Sequence, residues 1–172
     1  MKKSFYLLLA VVMGFFASCS SDETTEDENN DPETNFQIIF DGTAYTVNSV
    51  LVTELGLDPQ TGYNSSFLSF LASAGDIDLR IDTYLQSSEA INPTELATGS
   101  FIFDPTEEAP LFFNDTSVAV IEFFDVIDSS TIEGGEIFFD TSPNGSLFIL
   151  NLTTTDDRSV IGEYDGPTAT PT

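Results

Sequence analysis

From Phe36 onward the apolar residues come in short runs, broken by turn residues at intervals of roughly 8–15 positions. The clearest run is Ile77–Leu85. Ile77, Leu79, Ile81 and Leu85 fall on one face of an extended chain, and Asp78, Arg80, Asp82 and Tyr84 on the other. Alternation with a period of two marks a strand buried on one side. A sheet built from such strands must cover that face and dispose of its edges, which leads to a sandwich or a barrel. Further strands are expected at Phe36–Phe40, Thr43–Thr53, Phe67–Ala72, Ser100–Phe103, Leu111–Phe113, Ser117–Phe124, Glu136–Phe139, Ser146–Thr153 and Val160–Tyr164.

The punctuation agrees. Asp41-Gly42 is a hairpin signal because glycine accepts positive φ. Leu57–Gly62, Ala74-Gly75-Asp76 and Ser142-Pro143-Asn144-Gly145 read as turns, and Thr154–Ser159 joins the last hairpin. Asn92–Leu96 fits one helical turn, with Asn92 as cap and Pro93 in the first position. In the return strand Thr43–Thr53, Tyr45, Val47 and Leu51 are expected on one face. The expected fold is a single all-β domain over 36–166, an antiparallel β-sandwich or barrel-like domain of about 8–10 short strands. Residues 167–172 read as a polar tail.

The chain carries 29 acids against four bases, a formal net charge of −25. Lys2 and Lys3 lie at the extreme N-terminus, so beyond it only Arg80 and Arg158 are basic. Nucleic acid as a partner is excluded, since its binding needs basic residues to neutralise phosphates. Sixteen phenylalanines and 41% hydrophobic residues provide a core that a disordered chain lacks. There is no His and no Trp, and Cys19 is the single cysteine. Ser-His-Asp and Cys-His catalysis, zinc sites of His and Cys, and Schiff-base lysine chemistry outside the N-terminus are therefore excluded. Carboxylate hydrolysis and oxygen-ligand metal sites survive.

Residues 1–18 have the layout of a secretory signal. Lys2-Lys3 precede an apolar stretch, Phe5–Phe16, of about a dozen residues, too short for a spanning helix of roughly 20. The stretch ends in Phe16-Ala17-Ser18-Cys19. This resembles the lipobox of bacterial lipoproteins, with Phe16 where Leu, Val or Ile is usual. The resemblance implies that Cys19 is acylated, with palmitate-type chains, and becomes the mature N-terminus. Acylation would also remove an unpaired thiol from an oxidising compartment, and more than one chain is needed for stable anchoring. Residues 19–35 then form an acidic stalk in which Asp22, Glu23, Glu26, Asp27, Glu28, Asp31 and Glu33 repel one another. Fully stretched, Asp22 to Asn35 reaches about 40–45 Å at about 3.3 Å per residue.

Ser20-Ser21-Asp22-Glu23 and Glu26-Asp27-Glu28 resemble the acidic export signal of surface lipoproteins of the Bacteroidota. That resemblance implies an outer-membrane location facing the cell surface; the periplasmic face is the alternative. Gly42-Thr43-Ala44-Tyr45 and Gly162-Glu163-Tyr164-Asp165-Gly166 are similar to the opening and closing motifs of a group of uncharacterised lipoproteins of that phylum. They imply the fold and no activity.

Asp76 with Asp78, Asp156 with Asp157, and the Asp58–Asn64 loop are the candidates for calcium, which wants six to eight oxygen ligands. None fits the EF-hand spacing, and no metal ligand or cofactor is assigned. Glu122 interrupts the apolar run Val118–Phe124, but sequence spacing alone cannot pair it with the second carboxylate that glycoside hydrolysis needs, so no catalytic residue is assigned. Tyr45, Tyr63, Tyr84 and Tyr164 are the aromatics available to a glycan, and a protein is the other candidate ligand. Adjacent phenylalanines at Phe112-Phe113 and Phe123-Phe124 point to opposite faces, so either both faces are covered or one ring of each pair meets a partner. The expected function is a membrane-anchored extracytoplasmic protein with a non-catalytic binding or structural β domain. A carboxylate-dependent glycan hydrolase and a calcium-stabilised adhesion domain are the alternatives.

Overall fold

Two consecutive residues at positive φ, Asp41 (47°) and Gly42 (78°), form the kind of two-residue turn whose handedness suits the twist of paired strands. The turn sets β1 (Gln37–Phe40) against β2 (Thr43–Leu57), with Phe40 opposite Thr43. The computed structural model describes residues 36–87, 96–123 and 126–169, and each of its elements is a strand. β3 (Asn64–Ala74) and β4 (Ile77–Ser87) make a second hairpin around Gly75-Asp76. β5 (Gly99–Phe103), β6 (Leu111–Phe113) and β7 (Val118–Phe123) follow. β8 (Val126–Ser142) and β9 (Gly145–Thr154) turn over Pro143-Asn144, and β10 (Ser159–Gly166) is the last. Cys19, the expected signal and stalk, and Phe124 lie outside the described residues, as does the expected turn Asn92–Leu96 except for Leu96.

The strand pairing closes on itself. It runs β3–β2–β1–β10–β9–β8; β7 then joins β8 to β4, and β4 pairs with β3. Toward the other end of β4 and β8 a second bridge replaces β7. There β5 pairs with Glu136–Phe139 of β8, and β6 with Gln86-Ser87 of β4. Of the two expected architectures the ladder selects the closed, barrel-like one, which disposes of the sheet edges. The β5–β6 pair is parallel, a departure from the all-antiparallel expectation. It arises because two strands rather than one span the gap between β4 and β8 at that end. The tail also enters the sheet. Ala169 bonds through its N–H to the Val50 carbonyl and through its carbonyl to the Val52 N–H, and the Tyr164 hydroxyl donates to the Pro167 carbonyl. Pro167–Ala169 is thus part of the barrel.

Strand alternation fills the interior. β9 buries Phe148, Leu150, Leu152 and Thr154 and exposes Ile149, Asn151 and Thr153. β4 buries Leu79, Ile81, Thr83 and Leu85. β2 departs from its expected face. A bulge between Val47 and Ser49 inserts one residue, which reverses the alternation beyond it; Val50 is buried and Leu51 only half buried. Phe40, Phe70, Phe101, Phe113 and Phe148 are fully buried, each contributing about 1.5–3 kcal/mol through burial. Phe148 meets Phe70 edge-on at 5.5 Å and Phe139 at 4.9 Å. An interstice beside Asn64, Leu85 and Phe101 measures about 10 Å3, at the lower limit for one water.

Candidate functional site

Among the described residues side chains fill the barrel interior, and the larger concavities lie on its outer surface. A groove of about 390 Å3 over β2, β3, β4, β7 and β8 combines charged and apolar lining. One row across its floor is Ser49, Leu71, Arg80 and Val120, each opposite the next in register. The next row pairs Ser73 with Asp78, Asp78 with Glu122, and Glu122 with Ile127. These side chains share the outer face because each stands an even number of residues from its neighbour on the same strand. Leu71 and Ile127 are 43% and 67% exposed.

The charges of the groove are mostly negative. Asp78 and Glu122 sit directly opposite one another, an arrangement that costs free energy for like charges. Arg80 does not relieve it: its Nε pairs with Asp82 Oδ2 at 2.9 Å, with the arginine side chain 52% exposed. Such an exposed pair contributes at most about 1 kcal/mol and is screened by salt. Ser69 Oγ donates to the other oxygen of Asp82 at 2.6 Å. The groove can therefore hold a guest by apolar contact at Leu71, Val120 and Ile127, with carboxylates beside it. Glu122 is the acid that interrupts the β7 run, and it is exposed there beside Asp78.

Of the other acids singled out in the sequence, Asp76 and Asp157 are exposed, while Asp156 and Asp58 are held by local hydrogen bonds. Asp156 accepts from Thr154 Oγ1 at 2.6 Å on one carboxylate oxygen, and its other oxygen accepts from Ser130 Oγ at 2.9 Å and pairs with Arg158 Nε at 2.7 Å. The Thr154 hydroxyl, then the Ser130 hydroxyl and the Arg158 charge, hold the Asp156 carboxyl below its ordinary range. Arg158 also reaches Asp128 at 2.7 Å and lies 4.8 Å over the Phe40 ring. Asp58 accepts from the Gln60 N–H at 2.8 Å and closes the loop to Tyr63. Among the described residues no group of three or more acids is placed to hold a metal ion.

The tyrosines expected to face a glycan divide differently. Tyr45 and Tyr164 are buried, and burial pushes both hydroxyls up. Tyr63 is half buried. Its ring meets Phe112 edge-on at 5.1 Å and its hydroxyl donates to the Glu107 carbonyl at 2.9 Å. Tyr84 remains on the outer face, 39% exposed and 5.1 Å from Phe67. Phe112 and Phe113 are both fully buried. Phe113 points into the core and Phe112 lies under Tyr63, so both faces of β6 are covered.

Asp104 anchors the loop that carries Glu107. It accepts from Thr106 Oγ1 at 2.6 Å and from the N–H groups of Thr106, Glu108 and Ala109 at 2.8–2.9 Å. These donors, the Thr106 hydroxyl foremost, hold its carboxyl at about 2 against 3.8 ordinarily. A folded value below the unfolded one contributes stability above the ordinary range, lost as pH falls toward the folded value. The expected result in a carboxyl-detected NMR titration is an Asp104 midpoint near 2; a midpoint at 3.8 or above contradicts the four-donor arrangement.

No family model, no curated protein and no solved structure matches this chain. The reading of its function therefore stands on its own residues.

Proposed function

We propose that the chain is a lipoprotein of the outer membrane. It is anchored through acylated Cys19, faces the cell surface on the stalk 19–35, and acts through non-catalytic binding at the outside of its barrel. The observation that carries the address is the lone cysteine at the end of Phe16-Ala17-Ser18-Cys19, directly after a short apolar stretch behind Lys2-Lys3. The second half is supported by the described residues, whose side chains fill the interior while an open groove lies on the outer surface. The charge favours cationic or neutral ligands over anionic ones.

Palmitate labelling and protease shaving of intact cells, with wild type beside Cys19→Ala, test the address. The wild type is expected to take label, to fractionate with the outer membrane and to be shaved. Cys19→Ala is expected to lose both label and membrane association. A labelled but protected wild type would move the domain to the periplasmic face. A Cys19→Ala chain that is still labelled and still in the membrane would overturn the anchor.

A further inference from the structure

A second outer face lies on β1, β10, β9 and β8. Ile39 stands opposite Ile161 across β1–β10, and Ile149 opposite Phe138 across β9–β8. Ile161 and Ile149 are diagonal neighbours, because Ile161 pairs with Asn151 and Glu163 with Ile149. The result is an apolar stripe that crosses four strands. Ile39, Ile161 and Ile149 are 43%, 50% and 43% exposed. A single exposed isoleucine is ordinary on a strand, whereas a contiguous apolar patch with a polar rim marks an interaction surface.

The rim gives the chemistry of the occupant. Glu163, Glu136, Asp140 and Asp165 are the ionisable groups that alternation places on this face of β8 and β10, and all are acids. Arg80 is on the other face and pairs with Asp82, while Arg158 is committed to Asp128 and Asp156. A second copy would bring the same acids together, on a chain whose net charge is already −25. An anionic lipid surface meets the same repulsion. We propose that the isoleucine stripe docks a different protein whose contact surface has an apolar centre and a rim of lysine or arginine. The apolar centre supplies affinity, and the opposed rims supply orientation and association rate.

The test is photocrosslinking in intact cells with the full chain. A benzophenone amino acid replaces Ile161 in one strain and the exposed turn residue Asp115 in a control. The expected result is a protein adduct at 161 that is about tenfold stronger than at 115, since contacts at the centre of an interface dominate its energy. The adduct should map to a partner segment bearing Lys or Arg. Ile39→Lys in the same strain should reduce it by about tenfold, and Glu136→Lys should reduce it and remove its sensitivity to salt. Thermal melting of the two variants, expected to match wild type at these exposed positions, separates lost docking from lost folding. If Ile39→Lys fails to fold, Glu136→Lys alone decides. The proposal is overturned by an adduct with a second copy or with lipid, by equal adducts at 161 and 115, by a partner segment without basic residues, or by a folded Glu136→Lys chain that crosslinks as wild type does.

Discussion

Phe148→Ala is expected to lower the stability of the domain by about 3–5 kcal/mol, the usual cost of emptying a phenylalanine site in a packed core. Phe148 is fully buried. It lies opposite Phe139 on one side and Tyr164 on the other, in the middle of β8, β9 and β10. Its ring also reaches across the barrel to Phe70 of β3 at 5.5 Å. The side chain thus joins two walls that no direct ladder connects, and truncation leaves Phe70 and Phe139 without their common neighbour. Collapse into the space is resisted because both walls are held by closed ladders. The check is urea unfolding of Phe148→Ala beside Ile149→Ala, one residue along the strand and on the outer face. The first should show a large fall in midpoint with little change in slope, and the second a loss of about 1 kcal/mol or less. Equal losses would mean that β9 does not alternate as described.

That pair of residues also shows how far the sequence could be read. Phe148-Ile149-Leu150 is a continuous apolar run, and a run of that kind states that a strand exists without stating which side is inside. Ile77–Leu85 alternates with charge, and its inner face, Leu79, Ile81 and Leu85, is the one the sequence predicts. Turns were legible wherever chemistry restricts φ, as at Asp41-Gly42. The sequence marks β8 only at Glu136–Phe139, yet the strand extends from Val126 to Ser142. Its first half, Asp128-Ser129-Ser130, has the composition of a loop, and its strand conformation comes from pairing with β7 and not from local propensity. The parallel β5–β6 contact had no local signal, because two residue pairs in register are a product of tertiary closure.

The surface was less legible than the core. Asp78 and Glu122 are far apart in sequence, and only the β4–β7 register brings them together. The isoleucine stripe draws one residue from β1, one from β10 and one from β9, and no stretch of sequence contains it. The signal that could have pointed to it is the excess of apolar residues at positions where a half-buried strand would place polar ones, Ile39, Ile149 and Ile161. Tyr45 and Tyr164 illustrate the opposite error. A tyrosine reads as amphipathic, and the sequence does not say that Tyr164 would bury its ring beside Phe36 at 4.8 Å and give its hydroxyl to the Pro167 carbonyl.

Gly135→Ala is expected to be the most damaging small substitution in β8, worse than the same change at its neighbour Gly134. At Gly135 φ is +106°, and a Cβ would lie 2.1 Å from the Asn151 carbonyl oxygen and 2.7 Å from Leu152 Cα. Both are backbone atoms of β9, so no side chain can rotate away, and relief requires parting the β8–β9 ladder where Gly135 faces Leu152. At Gly134 the nearest atom is Thr153 Cβ at 3.8 Å, an ordinary contact. The reason for the close approach is the bulge between Ile132 and Gly134. There β8 passes from the β7 bridge to the β5–β6 bridge, and the bend presses its backbone against β9. Alanine at 134 should change stability by about 1 kcal/mol or less. Alanine at 135 should cost more than about 3 kcal/mol, strain and ladder loss together, a large share of the roughly 5–15 kcal/mol that holds an ordinary domain folded. Expression in soluble form and thermal melting of the two variants side by side decide the matter. A Gly135→Ala chain that melts with Gly134→Ala would mean that β8 and β9 do not approach as described, and that the bend joining the two bridges lies elsewhere along β8.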